Sequence, residues 1–387
     1  MNNFVFHAPT KIFFGKNQIQ QLPAILNEFG KKVLLTYGGG SIKKIGLYDE
    51  AVNLLKETGF TVYELSGIEP NPRIETVNKG GQLCREHQID VVLAIGGGST
   101  IDCSKAICGA AYYEGDAWDF YTRKETITKA LPLVCVLTLS ATGSEMNSNA
   151  VISNMTTNDK LGLRSDYFMP RASILDPSYT CSVSKYQSAA GTADIMSHVL
   201  ENYFKIDTDV PIQDAICEGL LRVCIDNLPL VLEDGNNYEA RANLMWASTL
   251  GLNGITGVGK SGVWSCHSME HSLSAYYDIT HGAGLAVLTP MWMRYVLCET
   301  TLHKFCEFAR NVWKLSGEDS FELANAGIDK LESFFKESGL PMKLSEYTID
   351  ETYFEEMAEK ATANNKLATG YRPLTKDDVI AIYKMCL

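Results

Sequence analysis

Asp90-Val91-Val92-Leu93-Ala94-Ile95-Gly96-Gly97-Gly98-Ser99-Thr100-Ile101-Asp102 is the stretch that settles the fold class. Its first six residues show no polar alternation, so they predict a strand buried on both faces of a sheet. Three glycines end it, and a helix is expected from near Ser99. The same grammar recurs on either side. Upstream, Lys32-Val33-Leu34-Leu35-Thr36-Tyr37 stops at Gly38-Gly39-Gly40 and precedes a helical stretch over Tyr48–Thr58. Thr61–Leu65 reads as the next strand and Ile74–His87 as the next helix. Downstream, Leu133-Val134-Cys135-Val136-Leu137 is another buried strand that runs into the small polar loop Thr138–Glu145. Strand and helix in alternation predict a mostly parallel sheet covered on both faces. Beyond about residue 180 the strand-like runs stop. Helical segments follow at Ser188–Tyr203, Pro211–Leu232, Tyr238–Leu252, Ser261–Tyr276, Leu302–Leu315 and Glu322–Ser338. The expected architecture is an α/β domain over residues 1–180 joined to an all-helical domain over residues 181–387.

At 387 residues, 45% of them apolar, the chain can bury a substantial core in two or three domains. A net charge of -12 argues against nucleic acid or an anionic membrane as partner, since phosphates would be repelled overall. The first residues carry no basic n-region followed by an apolar core, and no run of about 18 apolar residues is present, so neither a signal peptide nor a membrane span is expected. Eleven cysteines without CxxC pairs read as free thiols in a reducing compartment, which points to the cytoplasm.

Two glycine clusters fall at the carboxyl ends of expected strands, the edge where open α/β sheets bind ligands. In Gly96-Gly97-Gly98-Ser99-Thr100-Ile101-Asp102 the glycines let backbone amides approach a pyrophosphate, and the helix that follows adds partial positive charge. The pattern is not the GxGxxG fingerprint. At Gly38-Gly39-Gly40-Ser41-Ile42-Lys43-Lys44 an acidic residue would hold the adenosine ribose and reject a 2′-phosphate; this loop has a hydroxyl and two lysines instead, which favours NADP(H) over NAD(H). Thr138–Glu145 supplies further hydroxyls and amides, and Lys160 lies beyond it.

The seven histidines are unevenly spread. Asp194 and His198 lie one helical turn apart on a common face, and His267 and His271 repeat that spacing on another helix. His281-Gly282-Ala283-Gly284 opens the next helix. A carboxylate with several neutral imidazoles is an oxygen–nitrogen donor set suited to Fe(II) or Zn(II). The HxxxH spacing also occurs in zinc proteases, but Ser268 stands where HExxH needs glutamate. Residue types and spacing leave open which of His267, His271 and His281 are ligands.

At these residues the chain resembles the iron-containing (group III) alcohol dehydrogenase family. Two patterns carry the likeness: Ser173-Ile174-Leu175-Asp176-Pro177 through Ala189-Ala190-Gly191-Thr192-Ala193-Asp194 to Glu201, and Trp264-Ser265-Cys266-His267 through Glu270-His271 to His281-Gly282-Ala283-Gly284. It extends from Pro9-Thr10-Lys11-Ile12-Phe13-Phe14-Gly15 over nearly the whole chain. Tyr37–Lys44 and Gly67-Ile68-Glu69-Pro70-Asn71-Pro72 are most similar to the NADPH-dependent butanol dehydrogenase and aldehyde reductase branch. The resemblance implies a dehydroquinate synthase-like fold, with an α/β dinucleotide-binding domain and an all-α domain for metal and substrate. It implies Asp194, His198, His267 and His281 as metal ligands, with His271 in the pocket as a catalytic proton relay. It implies an NADP site lined by Gly38, Gly39, Ser41, Asn71, Gly97, Gly98, Ser99, Asp102, Thr138, Ser140, Thr142, Ser144, Asn147, Lys160 and Tyr179. The metal is expected to be Fe(II), with Zn(II) as the other choice, the substrates small alcohols or aldehydes, and the assembly a homodimer or larger. One departure stands out: Ser184 occupies a position where the family usually has proline, which should loosen the turn before the metal helix.

Two other functions fit the same architecture. A sugar-phosphate cyclase or glycerol-phosphate dehydrogenase would need Lys and Arg beside the metal. Ser188–Tyr203 and Ser261–Gly284 contain neither, which argues for an uncharged substrate. A non-catalytic metal- or nucleotide-binding protein would bind NADPH without oxidising it when aldehydes are supplied.

Overall fold

The computed structural model of the chain describes residues 1–207 and 209–387. The backbone forms two compact units. One comprises His7–Val183 with Asn236–Met245; the other comprises Met1–Phe6, Ser184–Gly235 and Trp246–Leu387.

The first unit holds strands β1 (Lys11–Phe14), β2 (Lys32–Thr36), β3 (Thr61–Leu65), β4 (Val91–Gly96), β5 (Leu133–Leu137), β6 (Asn149–Asn154), β7 (Asp159–Arg164) and β8 (Ala172–Leu175). Its helices are α1 (Leu22–Leu26), α2 (Ser41–Lys44), α3 (Leu47–Glu57), α4 (Ile74–His87), α5 (Gly98–Ala110) and α6 (Trp118–Tyr121). Six strands form one sheet in the order β1-β8-β5-β4-β2-β3, and every pairing in it is parallel. The unbroken apolar runs are explained by burial on both sides. Leu34, Val92, Ala94 and Cys135 point into one core with Val77, Ile101 and Ile107. Val33, Leu35, Val91, Leu93, Ile95, Val134 and Val136 point into the other with Ile25, Leu26, Ala51 and Leu55. Each Val, Leu or Ile among them contributes about 1.5–3 kcal/mol on leaving water. The sequence reading did not foresee the antiparallel β6–β7 hairpin, which forms a separate two-stranded sheet, or the short strands β1 and β8.

The second unit is helical, as expected: α7 (Lys185–Tyr203), α8 (Pro211–Glu233), α9 (Tyr238–Leu252, whose residues through Met245 belong to the first unit), α10 (Ser265–Tyr277), α11 (His281–Val296), α12 (Leu302–Asn311), α13 (Phe321–Glu337), α14 (Phe354–Thr362) and α15 (Lys376–Met385). Helix α7 is buried on all sides from Ser188 onward. Its small residues Ala189, Ala190, Gly191 and Ala193 let neighbours come close. At Gly282 of α11, a Cβ would stand 1.9 Å from the Ala190 carbonyl oxygen, so only glycine fits. Ser184 does not loosen the start of α7. Its hydroxyl accepts from the Gln187 amide at 3.2 Å and caps the helix, a contribution of about 1 kcal/mol that proline could not make.

Candidate metal centre and nucleotide-binding edge

Three helices of the second unit bring the expected donors together. Asp194 and His198 come from α7, His267 from α10, and His281 opens α11. Asp194 Oδ1 lies 3.5 Å from His198 Nε2, 3.8 Å from His267 Nε2 and 3.6 Å from His281 Nε2. Those distances are too long for hydrogen bonds, and Asp194 Oδ1 and His267 Nε2 are buried polar atoms with no hydrogen-bond partner. Four donors bonded at 2.0–2.2 Å to one tetrahedral ion would stand about 3.3–3.6 Å apart. The spacing and the orphaned atoms therefore fit a small divalent cation. Donor atoms of Asp194, His267 and His281 lie within 4.8 Å of one another; His198 reaches the same carboxylate oxygen but stands outside that triplet.

The electrostatics agree. Burial alone would push Asp194 up, but His198, His281 and His267 outweigh it and hold the carboxyl at about 2, so it is ionised. Burial pushes His198 down to about 4, which leaves its imidazole neutral at pH 7, as a ligand must be. At His267 burial acts downward, yet Asp194 and Glu201 prevail and raise it to about 9. The field at that ring favours positive charge, which a bound cation would supply.

Two carboxylates missed in the sequence reading complete the centre. Glu201, on α7, accepts from the backbone amides of Ser265 and His267, each at 2.8 Å, and contacts His267 Nδ1 at 3.2 Å. It thus caps α10 and orients a ligand ring together. Glu270, fully buried on α10, pairs with His281 Nδ1 and also receives the Ser274 hydroxyl. A carboxylate on the far nitrogen fixes the tautomer and ring direction of a ligating histidine. The signal was available: each glutamate follows a ligand histidine by three residues on one helical face. His271 sits at the rim of this group, its ring centre 5.7 Å from that of His281 and 6.4 Å from that of His267, and it shares a second possible donor triplet with Glu270 and His281.

In the first unit, Gly38, Gly39 and Ser41 follow β2, Asn71 follows β3, Gly97, Gly98 and Ser99 follow β4, Thr138, Ser140, Thr142, Ser144 and Asn147 follow β5, and Tyr179 follows β8. Because all these strands are parallel, the residues collect at one edge of the sheet. Lys160, on β7, joins them through Asn71 Oδ1 at 3.1 Å. Gly98 is where α5 starts, and a Cβ there would lie 2.3 Å from Thr142 Oγ1. The two loops are thus pressed together over the positive end of the helix. Several expected side chains are engaged with protein partners. Ser99 donates to the Pro70 carbonyl. Lys43 lies over the rings of Tyr37 and Tyr48, whose hydroxyls hold the two oxygens of Glu64 at 2.8 and 2.7 Å. Half-buried Tyr179 packs against the core on the α1–α3 face.

Comparison with known proteins places both halves of the chain in one family. The model of the family described as iron-containing alcohol dehydrogenase matches residues 9–177, and that of the Fe-containing alcohol dehydrogenase family, C-terminal, matches residues 188–387. The chain is 52% identical over 386 residues to NADH-dependent butanol dehydrogenase A of Clostridium acetobutylicum, covering 99% of each protein. It is 40% identical over 358 residues to an NADPH-dependent aldehyde reductase of Escherichia coli, covering 90% of each. The crystal structure of an NADH-dependent butanol dehydrogenase A from Thermotoga maritima superposes with a TM-score of 0.96 at 41% identity, covering 100% of this chain and 99% of that one. This chain belongs to the iron-containing alcohol dehydrogenase family, and is an oxidoreductase of alcohols and aldehydes built on that family's fold.

Proposed function

We propose that the chain is a metal-dependent alcohol dehydrogenase and aldehyde reductase that moves a hydride between NADP(H) and small primary alcohols or aldehydes such as butanol and butanal. The observation that carries this reading is the convergence of three imidazole Nε2 atoms on the orphaned Oδ1 of Asp194 at 3.5–3.8 Å. Asp194, His198, His267 and His281 would hold Fe(II) or Zn(II), and Glu201 and Glu270 would keep two of the rings aimed. When bound, the cation acts as a Lewis acid on the substrate oxygen, and the nicotinamide carries the hydride. His271 would relay the proton between that oxygen and solvent, since it is the half-buried imidazole beside the ligand rings.

An uncharged substrate is favoured by where the nearby cations go. Lys260 is committed to Asp214 and the Asn202 carbonyl at 2.6 and 2.8 Å, Lys304 to Asp214 at 2.6 Å, and Lys205 to the Gly262 carbonyl. NADP(H) is favoured by the loop Gly38–Lys44, which offers no carboxylate to a ribose. The names of the relatives divide between NADH and NADPH. No helix among the described residues is long and apolar enough to cross a membrane. None of the eleven cysteines forms a disulfide, which suits a reducing compartment such as the cytoplasm. We take the working form to be a homodimer or larger. The deciding experiment follows oxidation of NADPH and of NADH by metal-free protein restored with Fe(II) or Zn(II), across an aldehyde series. Restored turnover with butanal, faster with NADPH, is expected. Full turnover without metal removes the Lewis-acid role, and a preference for NADH overturns the cofactor assignment.

A further inference from the structure

Lys105 lies three residues beyond Asp102 on α5 and is wholly buried. Its Nζ has three acceptors: Ser144 Oγ at 2.8 Å, Asn147 Oδ1 at 2.9 Å and the Asn149 carbonyl at 2.8 Å. Ser144 donates its own hydroxyl hydrogen bond to Asp102 Oδ1, so its oxygen is left to accept from the lysine. Three acceptors call for three N–H groups, which only the ammonium form has. Burial pushes Lys105 down to about 8 against the upward pull of Asp102, so it is charged at neutral pH. The other Asp102 oxygen accepts from the Val151 amide at 2.8 Å. One buried cation and one half-buried carboxylate thus stitch α5 to the segment running from residue 143 into β6. Asn147 is engaged at both ends: its oxygen takes Lys105 and the Asn149 amide, and its nitrogen donates to the Gly143 carbonyl. Asp102, Ser144 and Asn147 therefore have their polar atoms turned to one another, beneath the edge where the glycine loops lie.

We infer that Lys105 is a positioning residue for the nicotinamide nucleotide: it cancels the Asp102 charge one turn inside the helix that receives the pyrophosphate, and it ties the loop after β5 to that helix. Burial raises the Asp102 carboxyl against the pull of Lys105, and the charge it keeps without the lysine would repel a pyrophosphate, because like charges interact strongly where water is scarce. The inference rests on the reading of this edge as the cofactor site.

The test compares the wild-type protein with Lys105→Met and with Lys105→Met/Asp102→Asn. It measures NADPH and NADH dissociation constants by fluorescence titration, the cofactor KM and kcat of the metal-loaded enzyme, and metal affinity by chelator competition. Lys105→Met is expected to weaken nucleotide binding by on the order of tenfold or more, to raise the cofactor KM with little change in kcat, and to leave metal affinity alone. The double variant, with neither charge, is expected to bind both nucleotides tighter than Lys105→Met does. Wild-type nucleotide affinity in Lys105→Met overturns the inference, as do parallel losses of nucleotide and metal or a double variant that binds no tighter than the single one. If Lys105→Met does not fold, Lys105→Gln, which keeps side-chain hydrogen bonds without the charge, goes through the same titrations: nucleotide binding weakened by on the order of tenfold with metal affinity intact supports the inference, and wild-type nucleotide affinity overturns it. Failure of the wild-type protein to bind either nucleotide would sink the cofactor reading instead.

Discussion

Replacing Gly282 with alanine tests whether helix spacing builds the metal centre. The new Cβ would sit 1.9 Å from the Ala190 carbonyl oxygen, and 3.2 Å from Asp194 Cβ. Carbon and carbonyl oxygen do not ordinarily approach closer than about 3.3 Å, so α7 and α11 must separate locally by about 1.4 Å. The obstacle is backbone on one side and a helix start on the other, so no side-chain rotation relieves it. Gly282 adjoins His281, and Ala190 lies one turn before Asp194, so the displacement falls on the ligand pair now 3.6 Å apart. Metal–ligand bonds tolerate errors of about 0.2 Å. Metal affinity should therefore fall by at least the roughly 10–100-fold that loss of an outer-shell partner costs. Overpacking should also lower the stability of the metal-free protein by about 1–3 kcal/mol. Chelator competition with Zn(II) and thermal melts of metal-free protein measure the two effects separately. Gly284→Ala is the control: its Cβ would meet the side chains of Ile279 and Glu270 at 3.0 and 3.1 Å, and these can yield, so a milder loss is expected. A Gly282→Ala protein with wild-type metal affinity would refute the argument that this close approach sets the ligand geometry.

Glu270→Gln should weaken metal binding by roughly 10–100-fold, because an amide orients His281 less firmly than a carboxylate does; unchanged affinity by chelator competition would reduce Glu270 to packing. His271→Ala should keep full metal content while kcat for butanal falls; loss of metal in that variant would make His271 a ligand. Ser184→Ala should lower stability by about 1 kcal/mol in denaturant melts and leave metal affinity untouched. Burial lowers Lys105 from 10.5 to about 8, so between those values the unfolded chain keeps a proton that the folded chain has released. The contribution of this group to stability therefore rises with pH across that window, and Lys105→Met should flatten the dependence of Tm on pH between 8 and 10. An unchanged slope would mean that Lys105 keeps its proton throughout.

The parts of the fold legible in the sequence were those with one dominant period. The all-apolar strands β2, β4 and β5 announced a sheet buried on both faces, and α4 was read with its observed bounds. The β6–β7 hairpin was not read, because Asn149–Asn154 and Asp159–Arg164 mix polar and apolar residues without strict alternation and their turn, residues 155–158, lacks glycine. Short β1 pairs with β8, some 160 residues later, a partnership that no local pattern encodes. At the metal centre, spacing picked out the histidines. It could not place Asp194 Oδ1 among three rings drawn from three helices, since convergence is a tertiary fact. Lys105 was passed over because a lysine is ordinarily solvated, and only its depth in the core gives it a role.

The Glu201 carboxylate, which both caps α10 and aims the ring of His267, bears on how the centre is filled. Its contacts with the Ser265 and His267 amides tie the ring of His267 to the backbone at the start of α10, so the direction of that ring is set by the polypeptide. A ring aimed in that way does not discriminate between ions of similar size, and purified protein should carry whichever divalent ion its growth medium supplied most freely.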